Sequence, residues 1–479
     1  MSGPRALVAL LAVLAMVAAA CGGRDSDSGE QPPPTAPPAD SPVEVEPTDD
    51  AEEDAAPSPV ADADPCATEA TGDVDLGVTA DTITVLVAAD VGSPLAPGLF
   101  QDSIDGIDAW AAHVNAEGGL ACRQVEVIEF DTALNGNESV NAQIRACDEA
   151  VAMVGTTALF VFDVENINSC PDVNGDPTGI PDLAGLMTEA VHQCSANSLS
   201  VVPPTGACPF ESGERLFRER VGHIDWYREN VAPELAGVFI IPGDLPSTRQ
   251  TGVTSVRGYE AVGLVNRAEF AVSGSALQPE FSEFTQAITD SGANYARSGS
   301  DLVTMVKLRS EAAAQGVDVD IWECTIACYS AQFIEEAGEV AEGTYMTIFS
   351  LPFEEADTNA ELADYVAAIG RPSSFGANAW ASGVAFEEAI ARIVDSDGIN
   401  GISRTRILDE LSTLDEFDAN GMIGPVGLSS KTVGPCYVLL QVRDGEFVRV
   451  HPLERGTFDC SAENVVEITL DAEEEAGKF

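Results

Sequence analysis

Basic residues are scarce in this chain: 23 lysines and arginines stand against 79 aspartates and glutamates, for a formal charge of −56. Nucleic acid and an anionic bilayer surface would both repel such a chain, so neither is expected as a partner. Histidine is rarer still. His113, His192, His223 and His451 are the only four, they lack ligand spacing, and no two cysteines form a C-x-x-C pair. No metal site is therefore expected, and no cofactor. Also missing are a G-x-S-x-G elbow, an H-E-x-x-H helix and a phosphate loop, so an enzyme, in the first place an extracellular hydrolase, is the weakest functional class. Long apolar runs are absent too: Ala6–Ala20 covers about fifteen residues, short of the ~20 needed to span a bilayer.

That short run is nonetheless informative. Arg5 supplies a positive n-region, Ala6–Ala20 an apolar h-region, and Ala18-Ala19-Ala20 places small residues before Cys21. The order reads as a secretory signal, residues 1–20. It resembles the lipobox of lipid-modified secreted proteins, with Ala18 where that pattern more often has Leu, which implies lipidation of Cys21. Residues 21–65 follow, rich in proline and acid (Pro32-Pro33-Pro34; Asp49-Asp50-Ala51-Glu52-Glu53-Asp54) and free of aromatics. Such a segment cannot bury enough apolar surface to offset its ordering entropy and reads as a self-repelling tether. The expected location is the outer face of the cell membrane.

Ten cysteines remain after Cys21, an even number that suits disulfides in an oxidising compartment. Cys436 and Cys460 flank two strand-like runs joined by Asp444-Gly445, so a bridge there would clip a hairpin. Cys324 and Cys328 can close a small loop. Cys66, Cys122, Cys147, Cys170, Cys194 and Cys208 allow 15 connectivities, among which sequence does not choose.

Beyond Cys66 strand and helix patterns alternate. Ile83–Ala88 is a continuous apolar run of the kind buried on both faces of a sheet. Ile104, Ile107, Trp110, Ala111 and Val114 then recur at helical spacing before Gly118-Gly119, so Trp110 reads as core. Val125–Phe130, a helix over Val140–Ala150 and Val151–Val154 complete a βαβαβ unit. The alternation restarts with Val238–Ile241, a helix through Val253–Ala261, Phe270–Val272, a helix with Phe281, Phe284 and Ile288, the strand Tyr295–Arg297, a helix over Leu302–Gln315 and a strand over Val317–Trp322. The size exceeds what one core comfortably holds, so two lobes with parallel sheets flanked by helices are expected.

Gly77–Val85, the loop Ala89–Ala96 and Trp110–Leu120 resemble the opening of the leucine/isoleucine/valine-type substrate-binding proteins of ABC importers. Ser373–Gly383 resembles that family's late helix, and Gly424–Leu428 with Tyr437–Gly445 its closing strands. The resemblance covers nearly all of the body. It implies a type I periplasmic binding fold of two Rossmann-like lobes, joined by three chain crossings placed near Arg218, Leu351 and Asn420. Lobe 1 then comprises 66–218 and 352–420, lobe 2 219–351 and 421–479. It also implies a function: capture of a small solute of the amino acid, amide or small carboxylate class, and delivery to an ABC permease. A sensor of the same fold that signals to a membrane receptor is the alternative.

The resemblance further implies where a ligand sits. Amino-acid binders of the family hold the carboxylate with hydroxyls and backbone N–H groups after the third strand, where this chain has Thr156 and Thr157 followed by Ala158, Leu159 and Phe160. They hold the ammonium with an acid near the helix after the fifth strand, where the matching position is the neutral Thr304 and Asp301 lies three residues earlier. An aromatic of the first loop is missing, with Gly98 near its place. The amino-acid pattern is thus degraded, and an apolar solute lined by Leu159 and Phe160 becomes an alternative to those residues being core. Open α/β sheets bind ligands at the carboxyl ends of strands. That rule adds Gly92, Ser93, Thr205, Asp244, Ser247, Arg297 and Ser298, with the Arg297 guanidinium either a carboxylate clamp or a solvated surface group.

Overall fold

The computed structural model describes residues 66, 69–72, 74–94, 96–208 and 213–477. They belong to one compact unit, Asp62–Phe479. Cys21, the signal run and the tether lie outside the described residues. The first half of the body runs β1 (Thr82–Ala89), α1 (Gln101–Ala116), β2 (Gln124–Asp131), α2 (Gly136–Glu149), β3 (Ala152–Thr156), α3 (Glu165–Ser169), β4 (Asp182–Ala184), α4 (Ala190–Gln193) and β5 (Ser198–Ser200). These strands form an all-parallel sheet in the order β2-β1-β3-β4-β5.

After β6 (Glu214–Arg220) the second half runs α5 (Gly222–Asn230), β7 (Ala236–Pro242), α6 (Pro246–Ala261), β8 (Val265–Val272), α7 (Phe281–Ser291), β9 (Tyr295–Ser298), α8 (Leu302–Gln315), β10 (Ile321–Cys324), α9 (Ala331–Ala337) and β11 (Thr344–Ile348). Three helices, α10 (Ala360–Ile369), α11 (Ser374–Asp397) and α12 (Arg404–Ser412), return to the first sheet, where α11 packs on α1 and β3. Then β12 (Val438–Arg443) and β13 (Glu446–His451) extend the second sheet, followed by β14 (Val465–Asp471) and α13 (Ala472–Ala476). The second sheet is ordered β13-β12-β11-β10-β9-β7-β8; the pairs β11–β12 and β12–β13 are antiparallel and the other pairs parallel.

Local chemistry explains the boundaries. Asp301 caps α8 by accepting from Thr304 N at 2.7 Å, and Gly316 ends it in the left-handed region. The strand expected at Val317–Trp322 begins only at Ile321 because Val317 N donates back to Ala312 O and the Asp318 carboxylate accepts from Val319 N and Trp322 Nε1. The helix expected from Val253 starts earlier, with Pro246 in its first turn. Trp110 is core, fully buried. Its helix meets α11 where side chains vanish: a Cβ on Gly383 would lie 2.3 Å from the Trp110 ring, and one on Gly106 would lie 2.6 Å from Gly376 O.

The chain passes between the sheets three times. β6 leads out and pairs antiparallel with β14. Ser350 and Leu351 lead back, and Met422–Gly424 lead out again; these two passages are joined by Leu351 N donating to Met422 O and Gly424 N to Phe349 O. All ten cysteines after Cys21 are paired: Cys66–Cys122, Cys147–Cys170, Cys194–Cys208, Cys324–Cys328 and Cys436–Cys460. The last clips the β12–β13 hairpin, whose turn residues Asp444 and Gly445 both have positive φ.

Candidate functional site

The loops that leave the carboxyl edge of the first sheet are tied together by two aspartates. Asp90, buried just beyond β1, accepts from Thr132 Oγ1 at 2.6 Å, Leu134 N at 2.7 Å and Leu159 N at 2.8 Å, so one carboxylate links the loops after β1, β2 and β3. Asp131 accepts from Val91 N and Gly92 N at 3.0 Å each and from Ala133 N at 2.8 Å. Burial pushes the Asp131 carboxyl up, but those three N–H groups outweigh it and hold it below the usual range. The Gly92 N–H is thus engaged, and Ser93 is buried. Sequence reasoning missed both aspartates; Asp90 was legible only as the polar residue that ends an apolar strand.

Thr156 faces inward, donating to Asp182 Oδ1 at 2.7 Å, and His192 Nε2 lies 2.7 Å from Asp182 Oδ2 with both side chains fully buried. Here one buried carboxylate sits between the hydroxyl and the imidazole and holds both in place. Thr157 is different: its hydroxyl is buried and has no hydrogen-bond partner among the described residues. Leu159 is core. Phe160 is half-buried and packs edge-on, at 5.4 Å, against Phe162, which is 55 % exposed. After β4, the Glu189 carboxyl lies near Ser247 of α6, whose buried hydroxyl has no hydrogen-bond partner among the described residues. Burial raises that carboxyl above the ordinary range, and Ser247 and His192 oppose the rise. Nothing in the sequence singled out Glu189.

On the second lobe both candidate acids are engaged. Asp244 accepts from Gly274 N at 2.7 Å, tying the loops after β7 and β8, and Asp301 is the α8 cap. Ser298 is fully buried with an unpartnered hydroxyl among the described residues, on the sheet face it shares with Ile240 and Cys324. Arg297 is neither clamp nor solvated group. Its Nε donates to Glu323 Oε1 on the neighbouring strand at 3.0 Å, and its guanidinium lies over Tyr259 at 5.5 Å. Burial would raise the Glu323 carboxyl, but His223 and Arg297 hold it down at about 2. Thr205 lies at the hinge, in the wall of a cavity of about 640 Å³ outside the β5 edge that is shared with Asn197, Arg218, Asp409 and Lys431. That cavity is not among the strand-end loops.

Two largely parallel sheets with their helices, linked by three passages, are now in place, and residues 82–446 match the family model described as periplasmic binding protein. The chain belongs to the periplasmic binding protein family. No curated protein sequence matches it. Among solved structures, this periplasmic binding protein is similar to a fatty acid ABC transporter substrate-binding protein from Thermomonospora curvata (14 % identity, TM-score 0.61, covering 80 % of this chain and 97 % of that one). It is similar to a leucine-binding protein, LivK, from Thermotoga maritima (15 %, TM-score 0.58, 77 % and 97 %) and to an ABC transporter substrate-binding protein from Desulfitobacterium hafniense in complex with Leu (13 %, TM-score 0.56, 77 % and 100 %). At these identities the likeness establishes the type I fold. No helix among the described residues is long and apolar enough to cross a membrane.

Proposed function

We propose that this periplasmic binding protein is the lipid-anchored capture component of an ABC importer, closing its lobes on a small apolar carboxylate that lacks a primary ammonium. The family fold supports the capture role, and the Arg5 n-region, the Ala6–Ala20 run and the small residues before Cys21 support the anchor. One observation carries the ligand class: Asp244 and Asp301 are both engaged with backbone N–H groups, while Thr304, at the position where amino-acid binders hold an ammonium, is neutral. A buried ammonium without a carboxylate partner costs on the order of several kcal/mol. The unpartnered Thr157 hydroxyl suits a carboxylate oxygen, and Phe160 and Phe162 suit an apolar tail. The fatty acid named for the Thermomonospora curvata protein has this chemistry.

Calorimetry should compare leucine, its 2-keto analogue and octanoate on the protein, with Glu189→Gln as a second chain. The keto acid or the fatty acid is expected to bind at least about 100-fold more tightly than leucine, as several kcal/mol implies. Tight leucine binding overturns the ligand class, and its loss in Glu189→Gln would identify the acid responsible. A ligand at about a hundred times its Kd adds ~2.7 kcal/mol. A thermal-shift panel of amino acids, amides, carboxylates and aromatic acids without any shift overturns the solute-binding role.

A further inference from the structure

The cavity of about 640 Å³ outside the β5 edge takes no part in the proposed function. Its volume lies within the range of small-molecule pockets, roughly 300–1,000 Å³. Leu199 of β5, Leu216 of β6 and Leu408 of α12 supply apolar lining. The polar lining is defined by the hydrogen bonds it has already made. Ser429 Oγ donates to Ser412 O, Ser430 Oγ to Gly427 O and Thr432 Oγ1 to Ser430 O, each at 3.0 Å. Asn197 spends its amide N–H groups on Ile167 O at 3.0 Å and Thr178 O at 3.1 Å. With those protons committed, the hydroxyl oxygens and the Asn197 carbonyl oxygen are left as acceptors. The Asp409 carboxylate in the same wall adds to them. A molecule that fits this lining has to bring hydrogen-bond donors of its own.

Two cations also line the cavity, and they differ in what they have left to give. Arg218 is paired with Glu467 at 2.7 Å. Lys431 donates from Nζ to the backbone oxygen of Ser195, and no ion pair joins it to a carboxylate among the described residues. An ammonium carries three donors, so two N–H groups remain for a bound anion. Burial lowers the pKa of this ammonium and Asp182 opposes the fall, as expected of a charge short of anionic partners. We propose that this cavity is a second solute site, for a small polyhydroxylated carboxylate of the sugar-acid class. The carboxylate sits on Lys431, the hydroxyl groups donate to Asn197, Ser429, Ser430, Thr432 and Asp409, and the carbon chain covers the leucines. Its recognition is the reverse of the cleft's, where the unpartnered Thr157 hydroxyl has a proton to give.

Calorimetry at constant ionic strength tests this with gluconate as the probe, beside sorbitol, which has the same carbon chain without the charge, and hexanoate, which has the charge without the hydroxyls. Gluconate is expected to bind the wild type at least about tenfold more tightly than either, because each lacks one half of the recognition. Lys431→Gln is expected to weaken gluconate binding at least about tenfold, and Thr157→Val, which alters the cleft, to leave it unchanged. Absence of gluconate binding, or sorbitol or hexanoate binding as tight as gluconate, overturns the proposal. So does gluconate binding that survives Lys431→Gln or disappears in Thr157→Val. Should Lys431→Gln fail to fold, the comparison of the three probes on the wild type decides alone. The cleft is tested with other probes, so failure here is distinguishable from failure of the proposed function.

Discussion

The Asp90 carboxylate shows how much one buried acid can organise. Its two oxygens take a hydroxyl and two backbone N–H groups from segments that follow β2 and β3, fixing the spacing of three loops at the sheet edge. Asp90→Ala leaves those donors buried without an acceptor, at ~1–3 kcal/mol each. We expect a loss of about 3 kcal/mol or more in urea unfolding with an unchanged slope, and a smaller loss for Asp90→Asn, which keeps one acceptor oxygen. Arg297 teaches the complementary lesson. Read alone, an arginine at a strand end is exposed; here its partner Glu323 stands 26 residues later on the next strand, and only the pairing of β9 with β10 brings them together.

At the scale of elements, the sequence was most legible where local chemistry decides the outcome. Helix α8 occupies Leu302–Gln315 as its pattern foretold, between the Asp301 cap and the Gly316 stop. Strands β4 and β5 went unread because Asp-Leu-Ala and Ser-Leu-Ser are too short and polar to carry a period. The hinge strand β6, Glu-Arg-Leu-Phe-Arg-Glu-Arg, reads as a charged loop until β14 supplies its partner. The site was harder still, since Glu189 and Ser247, distant in the chain, become neighbours only through packing. The disulfides differ in the chain they close: Cys66–Cys122 spans 56 residues and Cys324–Cys328 only 4. By loop entropy, Cys66→Ala with Cys122→Ala should cost ~4 kcal/mol in urea unfolding and Cys324→Ala with Cys328→Ala ~2 kcal/mol, an order that equal losses would contradict.

For the whole molecule the scarcity of cations is sharpened by where they go. Arg123 gathers Thr79 O and Ile399 O at 2.7 Å each, Arg404 gathers Cys147 O and Ala150 O at 2.6 Å each, and Arg449 is buried against Glu355 at 2.6 Å. Inward use of arginine leaves the surface more acidic than the composition alone suggests, and self-repulsion acts against the compact state. Raising NaCl from ~0.01 to ~0.3 M shortens the Debye length from ~30 Å to under 10 Å, and we expect the melting temperature to rise by about a degree, the equivalent of ~1 kcal/mol. A melting temperature that falls or stays constant would contradict this. The ribbon of β6 with β14 has a different consequence, for biogenesis. Arg218 and Glu467, which meet across it at 2.7 Å, are 249 residues apart in the chain. Chain closure over that distance is slow, and a chain emerging from its amino end presents β6 long before its partner exists. Both sheets can assemble in that interval, so the ribbon of β6 with β14 is closed late, by the carboxyl-terminal strand.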